Sequence, residues 1–510
     1  MYVSNYSALL KGEGGIAPRD GVITFSFTQG THQVSAATQQ SIRYVFKHLI
    51  EPFIDVRFEE TVGEGNIKFR LTDKVGQDSF ERNQTIYLTR NEQSRSQGNN
   101  ATTNSPQSNF GSFEFETLIH NILHALGLKH AGNYGTAEDT APFLQYKFDN
   151  TDNTVMSFNL DTISGKGAIT PMPFDIAALQ SLYGERSLNT GDTTYVFTST
   201  HSFSDGTRTW GSAEHPSKLT LSDTGGNDTL DFSQLPFSGL GYHLDASTDG
   251  IFTTGGGVRG SAFRPVDVSQ SLTTARSTSR FGTRLSLTTK VERIIGSSSS
   301  DIITAGDSTW LLLGEKGSDR LFGNDEDNVI FGGSGVDTIS GGGGDDTLYG
   351  GNGDTDSTGE PSIDFLLGGD GDDRLWGEDG ADELNGEAHN DILLGGAGDD
   401  KLFGSANRQS DNSEVDLLYG GTGADLFALG YTENNIEHVF YRGSGFAIIK
   451  DWEFGSDKIQ LGRSSGKYTL LTKNLIGDNS VDVAVLHNGN LIAVVEDTGA
   501  ELSRSDFIFH

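Results

Sequence analysis

Three histidines stand at a spacing that metal chemistry uses. His120 and His124 are four residues apart, and His130 follows beyond a glycine, giving H-x-x-x-H-x-x-G-x-x-H over 120–130. Imidazole nitrogens are zinc ligands, and three converging on one point leave a fourth position for water. With 12 histidines and 67 glycines in 510 residues, composition supplies on the order of 10⁻³ chance matches to this pattern. The three are therefore read as one Zn²⁺ site rather than as incidental imidazoles.

Aspartate and glycine form a second candidate ligand set, at a period of nine. From Gly332 the chain runs GGSGVDTIS, GGGGDDTLY, GGNGDTDST, GEPSIDFLL, GGDGDDRLW, GEDGADELN, GEAHNDILL, GGAGDDKLF. The phase extends back to Gly314 and resumes over 411–428 after a seven-residue insertion at 404–410, for twelve units. Position six is aspartate except at Asn328 and Thr355, and position eight is apolar except at Ser357. Carboxylate and carbonyl oxygens suit Ca²⁺, and the chain has no cysteine to offer a softer ion. The candidate ligands are Asp319, Asp337, Asp346, Asp364, Asp373, Asp382, Asp391 and Asp400, with the turn glycines Gly333, Gly335, Gly342, Gly344, Gly369, Gly371, Gly396 and Gly398.

The elements that must hold these groups follow from periodicity. Residues 114–128, EFETLIHNILHALGL, predict a helix with Leu118, Ile119, Ile122, Leu123 and Leu126 on its apolar side. His120 and His124 then share one face. Gly127 allows a left-handed exit that returns His130 to the same point. A helix around 35–50 is expected to pack on strands near 22–27 and 66–71. The nine-residue period predicts a parallel β-roll in which position eight points inward and the glycine turns face a cation. Residues 296–304 and 305–313 read as degenerate first turns, and strands near 446–450 and 482–487 cap the far end.

Charge and composition narrow the function. The formal balance is −34, so a nucleic-acid partner held through phosphates is excluded. Residues 314–428 carry 27 of the 70 acids but 5 of the 36 bases, a local balance of −22. Such density repels itself without divalent cations, so folding of this segment is expected to be coupled to calcium. No run approaches 18 apolar residues, so no transmembrane segment is expected. The first residues, MYVSNYSALLK, lack a basic stretch followed by a long apolar one, so no secretory signal peptide is expected there.

The repeats resemble the repeats-in-toxin (RTX) calcium modules, and the histidine spacing resembles the metzincin peptidases with their H-E-x-x-H-x-x-G-x-x-H motif and Met-turn. Thr154-Val155-Met156-Ser157-Phe158 is similar to that turn, with Met156 at its methionine. Together with Gly21–Phe27, Ala137–Thr140, Asp175–Gly184, Asp223–Ser233, Ile448–Trp452 and Asp457–Ile459, these features resemble the serralysin family of secreted metalloproteases. The resemblance implies an α+β multidomain chain. A metzincin-like α/β domain over 1–185 and a β-rich transition over 186–300 precede a calcium-binding β-roll over 301–430 and a β cap over 431–510. It also implies a secreted, extracellular monomer that leaves through the type I secretion machinery. The end Asp506-Phe507-Ile508-Phe509-His510 is similar to the uncleaved signals of that route, and equally to a plain terminal strand.

Two positions depart from the family pattern. Asn121 stands where the family has the glutamate that takes a proton from the attacking water and hands it to the leaving amine. Phe158 stands where the Met-turn has a tyrosine that resembles a further zinc ligand and transition-state donor. A positioned base contributes roughly 10²–10⁴-fold, and an oxyanion-type donor roughly 10²–10³-fold. Efficient proteolysis is therefore not expected. The alternatives are an active zinc endopeptidase using another base, with Glu138 or Asp139 as distant candidates, or a calcium-dependent extracellular structural or adhesive protein. A pseudopeptidase of this kind would hold a peptide or protein ligand in its cleft, including a protease inhibitor.

Overall fold

The computed structural model describes residues 2–510 apart from 13–14, 29–32, 73–79, 83, 90–112, 135–140, 146–148, 150, 152, 158–167, 188–189, 212–217, 240, 248–249, 255–282, 352–362, 406–412, 434–435, 442, 464–467, 477–480 and 497–500. The chain divides into two compact units. One comprises 1–228, 248–253 and 261–290, the other 229–247, 254–260 and 291–510.

In the first unit, β1 (Val22–Phe27), β2 (Arg57–Glu60), β3 (Ile67–Thr72), β4 (Phe80–Arg82) and β5 (Thr85–Thr89) form one sheet in the order β2-β1-β3-β5-β4. Only the edge pair β4·β5 is antiparallel. Alternation places Ile23, Phe25 and Phe27 of β1 and Ile67, Phe69 and Leu71 of β3 in the core, as a period of two requires. The helix expected over 35–50 changes type along its length. α1 (Ala36–Tyr44), capped by the Ser35 side chain, continues as a π-helical turn over Val45–Ile50. That turn buries Phe46, whose ring stacks on Phe58 with centroids 4.3 Å apart.

α2 (Phe113–Ala125) buries Leu118, Ile119, Ile122 and Leu123. It stops short of residue 128 because Gly127 takes a φ of +105°, a turn that glycine makes without steric cost. α3 (Pro173–Tyr183) starts on a proline and ends before Gly184, the asymmetry expected of a helix with defined ends.

The second unit is built around a parallel roll. Short strands of three to six residues, such as Leu311–Leu313, Val329–Phe331 and Thr347–Gly351, follow one another in one sheet, and Ile302–Thr304, Arg320–Phe322 and Thr338–Gly343 in the other. Each strand pairs with the next in its own sheet, so the register advances by two nonapeptides per rung. Position eight points inward in every unit where it is described. Leu321, Ile330, Ile339, Leu348, Leu366, Leu375, Leu384, Leu393, Leu402 and Leu418 are fully buried. The degenerate turns 296–313 supply rungs as expected, through Ile303 and Leu312.

One step of the ladder spans three of the twelve sequence units instead of two. Thr338–Gly343 pairs with Phe365–Asp370, and Thr347–Gly351 with Arg374–Asp379. Successive turn aspartates there, Asp337 and Asp364, are 27 residues apart instead of 18. Residues 352–362, within that longer step, lie outside the described residues. Thr355 and Ser357 stand where a rung needs a carboxylate and an apolar side chain, and both lie outside the described residues. Beyond the roll, Phe446–Ile449 and Asp482–His487 extend the sheets near their expected positions, and Phe507–Phe509 pairs in parallel with Lys458–Leu461.

Candidate metal centre

The α2 spacing brings the histidines together. Ligating nitrogens of His120, His124 and His130 all lie within 4.8 Å of one another, and no carboxylate of the described residues joins the group. Lys11 reaches the His124 carbonyl through Nζ at 2.9 Å, and Leu128 N–H donates to the Leu123 carbonyl, so the helix end is satisfied where the chain turns back.

Tautomers follow from the partners. His120 Nδ1 is 2.7 Å from the Val155 carbonyl and His124 Nδ1 is 3.0 Å from the Leu128 carbonyl. A carbonyl accepts only, so Nδ1 carries the proton in both rings and Nε2 is left with a lone pair. His124 Nε2 and His130 Nε2 are 3.1 Å apart, close to the roughly 3.3 Å between two nitrogens each about 2.0 Å from a tetrahedral zinc. Burial lowers the His120 pKa to about 4 against the raising effect of the Val155 carbonyl. His124 is pushed well below its ordinary value by burial, then by its histidine neighbours and Lys11. Neutral, converging imidazoles are the donor set zinc requires, so these residues fit the ion.

Met156 is fully buried, and its carbonyl accepts from the Ala131 N–H at 3.1 Å, tying this turn to the strand of chain after His130. Sequence reasoning assigned no role to Asp175. That buried carboxylate at the start of α3 accepts from Thr154 Oγ1 at 2.5 Å, Val155 N–H at 2.9 Å and Met172 N–H at 2.9 Å. Burial outweighs these bonds and raises its pKa to about 7. Tyr134 and Asp149 were also missed. The Tyr134 hydroxyl donates to Asp149, which accepts from Ser157 Oγ at 2.7 Å as well, and the Tyr134 ring lies 6.1 Å from that of His130. No spacing rule signals contacts made through tertiary packing.

The remaining expected positions divide. Asn121 is buried, and its Nδ2 donates to the Thr117 carbonyl one turn back at 2.9 Å. Glu116 accepts from Ala168 and faces Lys218, and burial raises its pKa. Phe158, Glu138 and Asp139 lie outside the described residues.

The turn aspartates make two rows along the roll edges. Each uses one oxygen in the ladder: Asp319 N–H donates to Asp337 Oδ1, Asp346 N–H to Asp373 Oδ1, and Asp382 N–H to Asp400 Oδ1, at 2.7–2.8 Å. The other oxygen, Oδ2, is buried without a hydrogen-bond partner in Asp319, Asp337, Asp346, Asp364, Asp373, Asp382, Asp391 and Asp400. An unpartnered buried carboxylate is costly. Burial accordingly raises Asp319 to about 10, Asp391 to about 9, and Asp346, Asp364 and Asp400 to about 8. A hard cation relieves that cost, so the rows fit Ca²⁺. The expected glycines all have positive φ, from +94° at Gly344 to +148° at Gly371.

Comparison with known proteins finds similarity to a repeat family and to several serralysins. The RTX calcium-binding nonapeptide repeat matches overlapping stretches 311–339, 322–355, 358–393, 367–402 and 385–407. The chain is 33% identical over 185 residues to a serralysin of Proteus mirabilis, 34% of this chain and 35% of that protein. It is 36% identical over 159 residues to serralysin C of Dickeya chrysanthemi, 28% and 31% of the two chains. A serralysin of Photorhabdus luminescens is 29% identical over 208 residues, 38% and 36%. Over these segments the chain is similar to serralysins, and its repeats are of the RTX calcium-binding kind. It spans about a third of the length of the curated serralysins it matches. Its RTX repeats support calcium binding. Among the described residues, no helix is long and apolar enough to cross a membrane.

Proposed function

We propose that this chain is a secreted serralysin-like protein whose metzincin-like α/β domain, over 1–185, holds one zinc ion through His120, His124 and His130 but does not cleave peptides efficiently. The observation that carries the reading is Asn121. Its carboxamide sits beside the first histidine, buried and bonded to Thr117. An amide has no pKa in the working range, so it cannot take a proton from water and return it to an amine. Phe158 removes a hydroxyl in the same way. Zinc, when bound, supplies Lewis-acid polarisation of a carbonyl and acidifies water. The chain's own contribution is to hold three imidazoles in place and to offer a cleft for a peptide or protein ligand, a protease inhibitor among them.

The β-rich segment 186–300, the roll over 301–430 and the cap over 431–510 form the calcium-organised part in this reading. The turn aspartates and glycines are its Ca²⁺ ligands. Their charge keeps the roll loose where calcium is scarce, which suits unfolded passage through a type I secretion channel and folding outside as a monomer.

A second reading is an active endopeptidase with another base. The Tyr134–Asp149–Ser157 cluster beside His130 favours it. Casein hydrolysis by the zinc- and calcium-loaded chain, beside Asn121→Glu with and without Phe158→Tyr, tests the two. Cleavage by the double variant alone supports the first reading; cleavage by the wild-type chain that is lost in Asp149→Asn supports the second. Retained calcium binding with no zinc would leave a structural or adhesive role.

A further inference from the structure

The two aspartate rows differ in length, and the way they end is chemically specific. Among the described residues, one edge carries five unpartnered Oδ2 atoms, from Asp319, Asp337, Asp364, Asp382 and Asp400, and the other three, from Asp346, Asp373 and Asp391. The long row closes on backbone donors at both ends. Ser297 N–H donates to Asp301 Oδ2 and Glu453 N–H to Asp457 Oδ2, each at 2.7 Å.

The short row closes on side chains. At its start the repeat has Asn328 in place of aspartate and Asn324 in place of glycine. Asn324 Nδ2 donates to the Gly306 and Thr309 carbonyls at 2.6 and 2.8 Å, and Asn328 Nδ2 to the Thr309 carbonyl at 2.9 Å. Two carbonyls of the preceding turn are thus held by amide hydrogens. At its end, the fully buried Tyr441 donates its phenolic hydrogen to Asp416 Oδ2 at 2.6 Å. Asp416 Oδ1 still accepts from the Asp391 N–H in the ordinary way. Asp416 therefore keeps the row's Oδ1 contact and differs in that a phenol satisfies its Oδ2. A Cβ on Gly404 would lie 2.1 Å from that hydroxyl, so the strand Lys401–Ser405 keeps a glycine where Tyr441 enters.

We infer that Asn324, Asn328 and Tyr441 are resident stand-ins for calcium, which limit the short row to its three open carboxylates and keep its two ends ordered without the ion. The inference rests on the calcium reading of the repeats. Polar hydrogens supply at these positions the positive field that a cation supplies elsewhere, without dependence on free calcium.

Bound calcium per full-length chain, measured after equilibrium dialysis at saturating calcium, tests this. Relative to wild type, Asn324→Gly with Asn328→Asp is expected to bind one more ion, and so is Tyr441→Phe, which frees Asp416 Oδ2. Unchanged counts in variants that keep the calcium-loaded circular dichroism of wild type would overturn the inference. A wild-type chain that binds no calcium would overturn the calcium reading itself. Hydrogen exchange on the unaltered chain in chelator needs no variant to fold. The amides of Asn324, Glu326 and Asp391, which donate into the two closures, are expected to exchange roughly tenfold more slowly than that of Asp346. Equal rates would also overturn it.

Discussion

Val155 links the zinc ligands to α3: its N–H donates to Asp175 at 2.9 Å while its carbonyl faces His120 Nδ1 at 2.7 Å. One buried carboxylate thereby fixes the ring orientation of a ligand it never touches. Removing such an outer partner typically costs about 10–100-fold in metal affinity. Asp175→Ala is expected to weaken zinc binding by at least about tenfold while calcium content stays unchanged, as read by competition with a chromophoric chelator. Unaltered zinc affinity would show that Val155 is held by other contacts.

The same carboxylate gives stability a pH dependence. Burial raises Asp175 to about 7, above its unfolded value of about 3.9. Between those values the folded chain binds more protons than the unfolded chain, so stability falls as pH rises and levels off above about 7. Urea unfolding of wild type from pH 4 to 8 is expected to show this slope, and Asp175→Asn to lack its part of it.

Two roll glycines are expected to respond oppositely to the same change. Gly398 has a φ of +138°, and a Cβ there would lie 1.4 Å from the Gly380 carbonyl oxygen. Gly343 would meet nothing nearer than Asp325 Cα at 3.5 Å. Gly398→Ala should cost about 1–3 kcal/mol or more through overpacking, with backbone strain in addition. Gly343→Ala should change little, and calcium-loaded thermal unfolding distinguishes them.

Removal of calcium should dissolve most of the roll. Eight buried carboxylate oxygens then have neither ion nor donor, and the parallel strands lose their β-signal in circular dichroism as chelator is added. Restoring calcium should restore it. A signal indifferent to chelator would contradict calcium-coupled folding.

Legibility from sequence differed by kind of constraint. His120, His124 and His130 were readable because a helix and a glycine turn convert spacing into proximity. Leu321 through Leu418 were readable because a repeated burial demand leaves a period. The unit 350–358 keeps the phase but carries Thr355 and Ser357 at its sixth and eighth positions, and the ladder crosses it in a 27-residue step that the period alone does not announce. Val155 acts through its backbone, and Asp175 and Tyr441 act across 20 and 25 residues of chain. Such contacts have no local signature.

The central claim is that a zinc site persists here without its proton carrier. Initial rates of casein cleavage by zinc- and calcium-loaded wild type and by Asn121→Glu/Phe158→Tyr test it most directly. The account predicts negligible wild-type cleavage and a gain of roughly 10²–10⁴-fold in the double variant. A wild-type chain that digests casein as fast as the double variant would contradict it.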